Sequence, residues 1–462
     1  MAPQIVDLSD PRIQPGNQID AELVHTFSEN EKAPPPPQDA FGDEEFAEVK
    51  YKVLKWWQGG MLMIAETISL GILTLPKAMA SLGFVPGLII LVGLGIIATY
   101  TGYVIAQFKW RFPHISSMSD AGYQLLGPIG RELVGFAQIL FLVFIMASHL
   151  VTFSVAMNTL THHGTCSIVF GVVGLIASFI CTLPRTLAKM TWLSVASFIS
   201  ILIAVFITMV AVGVRKSSDV IIHATAQPSL VTGVTAAANI TFTYVTHNTF
   251  FSFIAEFEDP RDFPKALALL QTVDISLYIV TAVVIYYFTG NNVTSPALGS
   301  AGPLIAKIAY GIALPTNTKR QIIIAGVMNA HIAAKTIYLR VFAGTDRIHK
   351  RDLVATGSWI GIGLALWIVA WIIASAIPVF DDLLSLMTSL FATWFTFTLP
   401  GMFWFYMNRD VWFSSLRKLC LTLLNTFIIC IGLLLCGLGV YASGKAIHDD
   451  ASSDSFSCAD NS

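Results

Sequence analysis

The chain has 462 residues, 55% of them hydrophobic and 12% charged, with a formal net charge of −2. A water-soluble protein carries about 25% charged residues, and a soluble globule this apolar would expose large aggregation-prone patches. Composition therefore excludes a soluble domain and leaves lipid as the matching solvent.

Residues 1–55 are polar, acidic and proline-bearing, with Pro34 to Pro37 consecutive. They carry too little apolar surface to offset chain entropy and predict a disordered tail. The basic-then-apolar pattern of a secretory signal is missing, so the first apolar segment is expected to insert the chain. A spanning helix needs about 20 mostly apolar residues, and about eleven stretches meet that measure. They lie near 57–80, 86–108, 133–160, 167–183, 191–214, 231–257, 266–288, 321–342, 353–377, 383–406 and 419–441. A further apolar piece, 303–314, is too short to cross alone. The reading is an all-α polytopic membrane domain over 56–441 and a short acidic tail over 442–462. With the N-terminus inside, basic residues gather on the inner loops, among them Lys109, Arg111, Arg131, Arg185, Lys189, Arg261, Lys265, Arg347 and Arg417. That asymmetry is the positive-inside pattern. It places the C-terminal tail outside, together with the sequon Asn292-Val293-Thr294, an acceptor for N-glycosylation there.

Six cysteines show no C-x-x-C spacing, which leaves zinc and redox sites of that type without support. No metal or cofactor is expected. No phosphate-binding loop of Walker type, no His-Glu-x-x-His and no Gly-x-Ser-x-Gly occurs, so neither ATP-driven pumping nor enzymatic catalysis has a motif behind it. Nucleic acid is not an expected partner.

Chemistry in a bilayer gathers where helices break near the midplane and aim freed backbone groups at a solute. The first span qualifies, with Glu66, Thr67, Ser69, Leu70 and Gly71 at its middle and Pro76 and Lys77 beyond. A carboxylate at that depth is costly and marks function by default; the plainer alternative is a glutamate held in a helix–helix hydrogen bond. The sixth span is equally polar, running from Asn239 through Thr241, Thr243, Tyr244, Thr246, His247, Asn248 and Thr249. His247 titrates near neutrality and suits proton coupling, although a neutral, hydrogen-bonded histidine fits as well. Glu256 and Asp259 close this span on the inner side as gate candidates. The eighth span carries Asn329, His331 and Lys335. Lys335 can pair with a carboxylate, stand in for a bound cation, or snorkel to the interface. Lys77, His149, Asn158 and the pair His162-His163 are weaker candidates.

Three blocks resemble the amino acid/auxin permease family: Gly71-Ile72-Leu73-Thr74-Leu75-Pro76-Lys77-Ala78, Leu183-Pro184-Arg185-Thr186-Leu187 with Leu193-Ser194, and His247-Asn248 through Glu256-Phe257-Glu258-Asp259-Pro260-Arg261-Asp262-Phe263-Pro264-Lys265-Ala266. Within the family the chain is most similar to neutral amino-acid permeases of filamentous fungi of the methyltryptophan-resistance type. The resemblance implies a five-plus-five inverted repeat like that of the bacterial leucine transporter, with repeats near 57–214 and 231–406, plus an extra helix. It implies a secondary transporter of neutral, including aromatic, amino acids, with substrate held between broken spans one and six. The substrate carboxylate would face amides near Ser69 to Gly71 and its ammonium the carbonyls of Thr243 to Thr246. Sodium-coupled members place an asparagine where Ala65 aligns, and alanine has no oxygen to ligate sodium. Proton coupling follows as the expectation, with Glu66, His247 or Lys335 as carrier. Import at the plasma membrane, export from a vacuole and a non-transporting amino-acid sensor are the competing readings.

Overall fold

The structure, a computed structural model, describes residues 51–184, 191–215, 220–313, 323–345, 347, 352–449 and 455–459. The expected N-terminal tail before residue 51 lies outside them, as do Arg185 to Lys189. Thirteen helices organise the described chain: α1 (Trp56–Leu82), α2 (Phe84–Arg111), α3 (Met118–Thr161), α4 (Ser167–Thr182), α5 (Thr191–Val214), α6 (Leu230–Phe242), α7 (His247–Glu256), α8 (Phe263–Thr289), α9 (Pro303–Ala313), α10 (Ile323–Val341), α11 (Leu353–Ala376), α12 (Phe380–Met407) and α13 (Leu416–Asp449). No strand occurs among the described residues; Leu54 and Phe257 form one isolated parallel bridge.

Seven of these helices are long and apolar enough to cross a bilayer, and eight if the bent α1 is counted. The expected eleven spans include three segments that do not meet that measure singly: α4 with 16 residues, the α6–α7 pair, and α10 with its Lys335 and Arg340. Broken or polar segments such as α6–α7 and α10 are tolerated where neighbouring helices rather than lipid face them; α4 is simply short, and it exposes Val169, Val173 and Ile176.

Local chemistry accounts for the interruptions. The sixth span stops at Phe242 and restarts at His247. The Thr243 hydroxyl donates to the Ile240 carbonyl at 2.8 Å, and the Thr249 hydroxyl to the Thr246 carbonyl at 2.8 Å. Hydroxyl side chains of this kind compete with the helical ladder, and β-branched Val245 and Thr246 propagate a helix poorly. α3 starts earlier than the span expected at 133, because Ser117 caps it by accepting from the Asp120 amide at 3.2 Å. It kinks at Gly127, whose φ of 67° suits glycine, just before Pro128. α12 widens into π-helical turns over 388–392 and 394–398, where Thr388, Ser389 and Thr393 each donate a hydroxyl back to a carbonyl four residues earlier.

α1 packs most extensively on α8 and also meets α5 and α6, while α2 lies against α8. A second group joins α3 to α4, α10 and α11. α13 lies along α6 and α12. It continues to Asp449, beyond the 441 expected for the last span.

Residues 455–459 are anchored to the bundle. Cys458 forms a disulfide with Cys166, the Phe456 amide donates to the Ser375 carbonyl at 2.8 Å, and the Ser167 hydroxyl donates to the Ala459 carbonyl at 2.6 Å. Cysteine spacing in sequence carried no sign of this pair, which is 292 residues apart. Chain cleaved once within an exposed loop between Cys166 and Cys458 should therefore run as one species on a non-reducing gel and as two after reduction. Two fragments without reductant would show that the bond does not form.

Candidate functional site

The bend of α1 and the break between α6 and α7 meet at the centre of the molecule. α1 turns by 44° between Ile68 and Leu70. A Cβ placed on Gly71 would lie 2.9 Å from the Thr243 Cα and 3.1 Å from its Cβ. Glycine is thus what lets the two interrupted backbones touch. The Thr243 carbonyl accepts from the Tyr278 hydroxyl of α8 at 2.9 Å, which holds the break in place. The Thr246 hydroxyl is buried and has no hydrogen-bond partner.

Thr67 is buried, and its hydroxyl donates to the Met63 and Ile64 carbonyls at 3.0 and 3.2 Å. Leu70 lines a small cavity of about 20 Å³ with His149, Thr152 and Tyr310. The Ser69 side chain lies outside the described residues. The Tyr244 hydroxyl turns away from the break and donates to the Leu91 carbonyl on α2 at 2.9 Å. His247 is likewise turned to α2: its Nε2 lies 2.9 Å from the Ala98 carbonyl and 3.0 Å from the Thr101 hydroxyl.

Glu66 is buried where α1 faces α7 and α10. Its Oε2 accepts from the Thr249 hydroxyl at 3.3 Å, and the Asn329 side chain lies beside it. Lys335 is well separated in role. It pairs with Glu256 at 2.5 Å, with side-chain exposures of 8% and 1%, and its ammonium sits 4.2 Å from the Tyr51 ring centroid. The chain before α1 is stitched to the same spot, since the Leu54 amide donates to the Glu256 carbonyl and the Glu258 amide to the Leu54 carbonyl, both at 2.9 Å. A cavity of about 310 Å³ opens beside this pair, lined also by Ser116, Asp120, Ser252 and Arg340. Asp259 is exposed and accepts from the Arg261 amide at 2.8 Å, capping a short turn apart from the Glu256–Lys335 pair. Asn292 is exposed at the end of α8. Among the described residues no group of three or more His, Cys, Asp or Glu could hold a metal.

One polar residue at this centre escaped the sequence reading. Asp274, on the face of α8 turned to α1, is fully buried, and neither carboxyl oxygen has a hydrogen-bond partner. Its signal was a lone acid in the middle of an apolar span, the default mark of function.

A family model described as transmembrane amino acid transporter protein matches residues 52–444. The chain belongs to this family, the amino acid/auxin permeases. Over 410 residues the permease is 37% identical to the N amino acid transport system protein of Neurospora crassa, covering 87% of this chain and 86% of that one. Two solved structures share its fold at low identity. MhsT in complex with L-phenylalanine aligns with a TM-score of 0.55 at 13% identity, over 85% of the permease and 100% of MhsT. A Na⁺-coupled sialic acid symporter aligns with a TM-score of 0.53 at 12% identity, over 88% and 92%. The permease is thus an integral membrane protein with the leucine-transporter fold.

Proposed function

We propose that the permease is a secondary carrier that imports neutral L-amino acids, aromatic ones included, by proton symport with alternating access. The observation that carries this reading is the contact between the α1 bend and the α6–α7 break through Gly71 and Thr243. Interrupted helices in a membrane are stable only where something polar uses the freed groups. The substrate carboxylate docks at the amides near Ser69 to Gly71 and its ammonium at the carbonyls of Thr243 to Thr246. The unpartnered Thr246 hydroxyl serves as a further contact. Thr67, Leu70, Gly71, Thr243 and Thr246 are uncharged, which suits a neutral side chain. The L-phenylalanine bound to MhsT is consistent with such a cargo.

Proton rather than sodium coupling is supported by Ala65, which supplies no side-chain oxygen beside the bend. Of the three carriers expected from sequence, His247 is held by α2 and Lys335 by Glu256. Glu66 borders the break and is the carrier we favour among them. The Glu256–Lys335 pair closes the inner end. The plasma membrane is the proposed address, with the N-terminus inside and the C-terminus outside. The Cys166–Cys458 bond agrees with a tail on an oxidising side, and surface biotinylation of intact cells against a vacuolar fraction tests it.

The decisive test is uptake of labelled amino acids into liposomes holding the purified protein, with an inward proton gradient and no sodium. Accumulation of neutral amino acids above equilibrium supports the reading; strict sodium dependence overturns it. Glu66→Gln keeps the side-chain shape and removes the charge. It should retain substrate binding and lose the pH dependence of uptake. A pH profile identical to that of the unaltered protein would remove Glu66 from the mechanism.

A further inference from the structure

The strongest feature left unused by this reading is the lone carboxyl of Asp274. It lies mid-helix in α8, the helix that α1 packs on most extensively. Its neighbours are polar but neutral. The Thr67 side chain lies against it from α1, but its hydroxyl is already donated to the Met63 and Ile64 carbonyls. Tyr278, one helical turn further along α8, and Tyr244, from the break, also face it. Their hydroxyls are donated to the Thr243 and Leu91 carbonyls. The rings of these two tyrosines contact each other edge to face, with centroids 5.5 Å apart.

No cation reaches the carboxyl. Among the elements packed on α8, Lys77 of α1 lies in a pocket with His223 and Asn291 near the end of the bundle. Lys109 of α2 is tied to the Pro113 and Ile115 carbonyls at 2.6 and 2.5 Å. Glu66, next to Thr67 on α1, faces α7 and α10 rather than α8. Consecutive helical residues diverge by about 100°, so the two acids flank the α1 bend on different sides. None of the ion pairs among the described residues includes Asp274.

An ionised carboxylate here would be a buried charge with no counter-ion among the described residues and, as its sole nearby donor, a Thr67 hydroxyl already shared with the Met63 and Ile64 carbonyls, which costs several kcal/mol in a protein interior. The closed arrangement therefore accommodates the neutral acid. Opening the seam between α1 and α8 to water accommodates the carboxylate. The seam is the one that substrate must also control, because Thr67 and Gly71 belong to the same bend.

We propose that Asp274 is a proton-binding site of the transport cycle: it takes up one proton from the outer side, which lets α1 close on α8 around substrate, and gives it up to the inner side when the seam opens. The step breaks one O–H bond of a hydronium ion on the outer side, leaving water, and makes one O–H bond to a carboxylate oxygen; on the inner side that bond breaks and water takes the proton as hydronium. No other group is consumed. This inference rests on the proton-symport reading, and it makes Asp274 on α8 and Glu66 on α1 successive holders of the same proton, so that neutralising either one abolishes coupling.

Asp274→Asn copies the neutral acid in shape and cannot release a proton. In proteoliposomes it should bind substrate and exchange labelled for unlabelled amino acid at a rate close to that of the unaltered protein. Accumulation driven by a proton gradient should be lost. A pH step of one unit supports about tenfold accumulation per coupled proton, so the loss is readily measured. Asp274→Glu should recover part of the accumulation, with a shifted pH profile. Substrate-dependent thermal stabilisation of Asp274→Asn establishes that it is folded. Two results separate the possible failures. Gradient-driven accumulation by Asp274→Asn at the level of the unaltered protein overturns the assignment of Asp274 and leaves proton symport standing. Failure of the unaltered protein to accumulate on a proton gradient overturns both.

Discussion

Replacing Gly71 with leucine should reduce uptake by two orders of magnitude or more while leaving the protein folded in the membrane. Even the first added carbon would stand 2.9 Å from the Thr243 Cα, a backbone atom that no rotamer change can move aside. The α1 bend and the α6–α7 break would be forced apart, and displacing reacting or binding groups by about 1 Å commonly costs on the order of 100-fold. Gly71→Ala should fall between the two, because the helix can shift by a few tenths of an ångström. The measurement is initial-rate uptake over a range of substrate concentrations, paired with size-exclusion behaviour in detergent. Normal affinity in Gly71→Leu would show that substrate does not dock at this contact.

Lys335→Met should be strongly destabilising, and adding Glu256→Gln should restore most of what is lost. Lys335 and Glu256 are 2.5 Å apart and almost fully buried. Removing one partner of such a pair strands the other charge and costs about 3–5 kcal/mol, whereas neutralising both leaves no orphan. The Tyr51 ring over the ammonium adds a contact that methionine keeps only in part. Thermal unfolding in detergent reads both variants. Under the proposed alternating access, the double variant should also move the balance between outward- and inward-facing forms, since it cuts the tie between α7 and α10. Equal stability of Lys335→Met and the unaltered protein would mean that the pair is open in solution.

The architecture was largely legible because lipid imposes a simple code. Apolar run length located nearly every helix within a few residues, and the glycine- and hydroxyl-rich centres of the first and sixth spans are where α1 bends and where α6 and α7 separate. Other features were hidden for physical reasons. His247 has the chemistry of a proton carrier, but which way a ring points depends on helix rotation, and here it meets the Ala98 carbonyl. Asp259 and Glu256 lie three residues apart at one span end, yet one caps an exposed turn and the other is buried against a lysine 79 positions away. Asp274 sits between Val273 and Ile275 in a span with no glycine, so no helix break marks its position. The kink of α3 at Gly127 and the π turns of α12 leave the overall apolar pattern unchanged.

The bond between Cys166 and Cys458 has a consequence for how the molecule is made. It encloses every helix from α4 to α13 in one covalent ring, whose closing residue follows the whole of α13. In the proposed orientation the ring closes only after α13 has entered the bilayer and its end has been delivered to the oxidising side. Closure therefore records that the helices from α4 to α13 have all been inserted. In a population of newly made chains, the fraction carrying the bond would count those with α13 inserted in the proposed direction, and a chain stalled or inverted at any late helix would remain open.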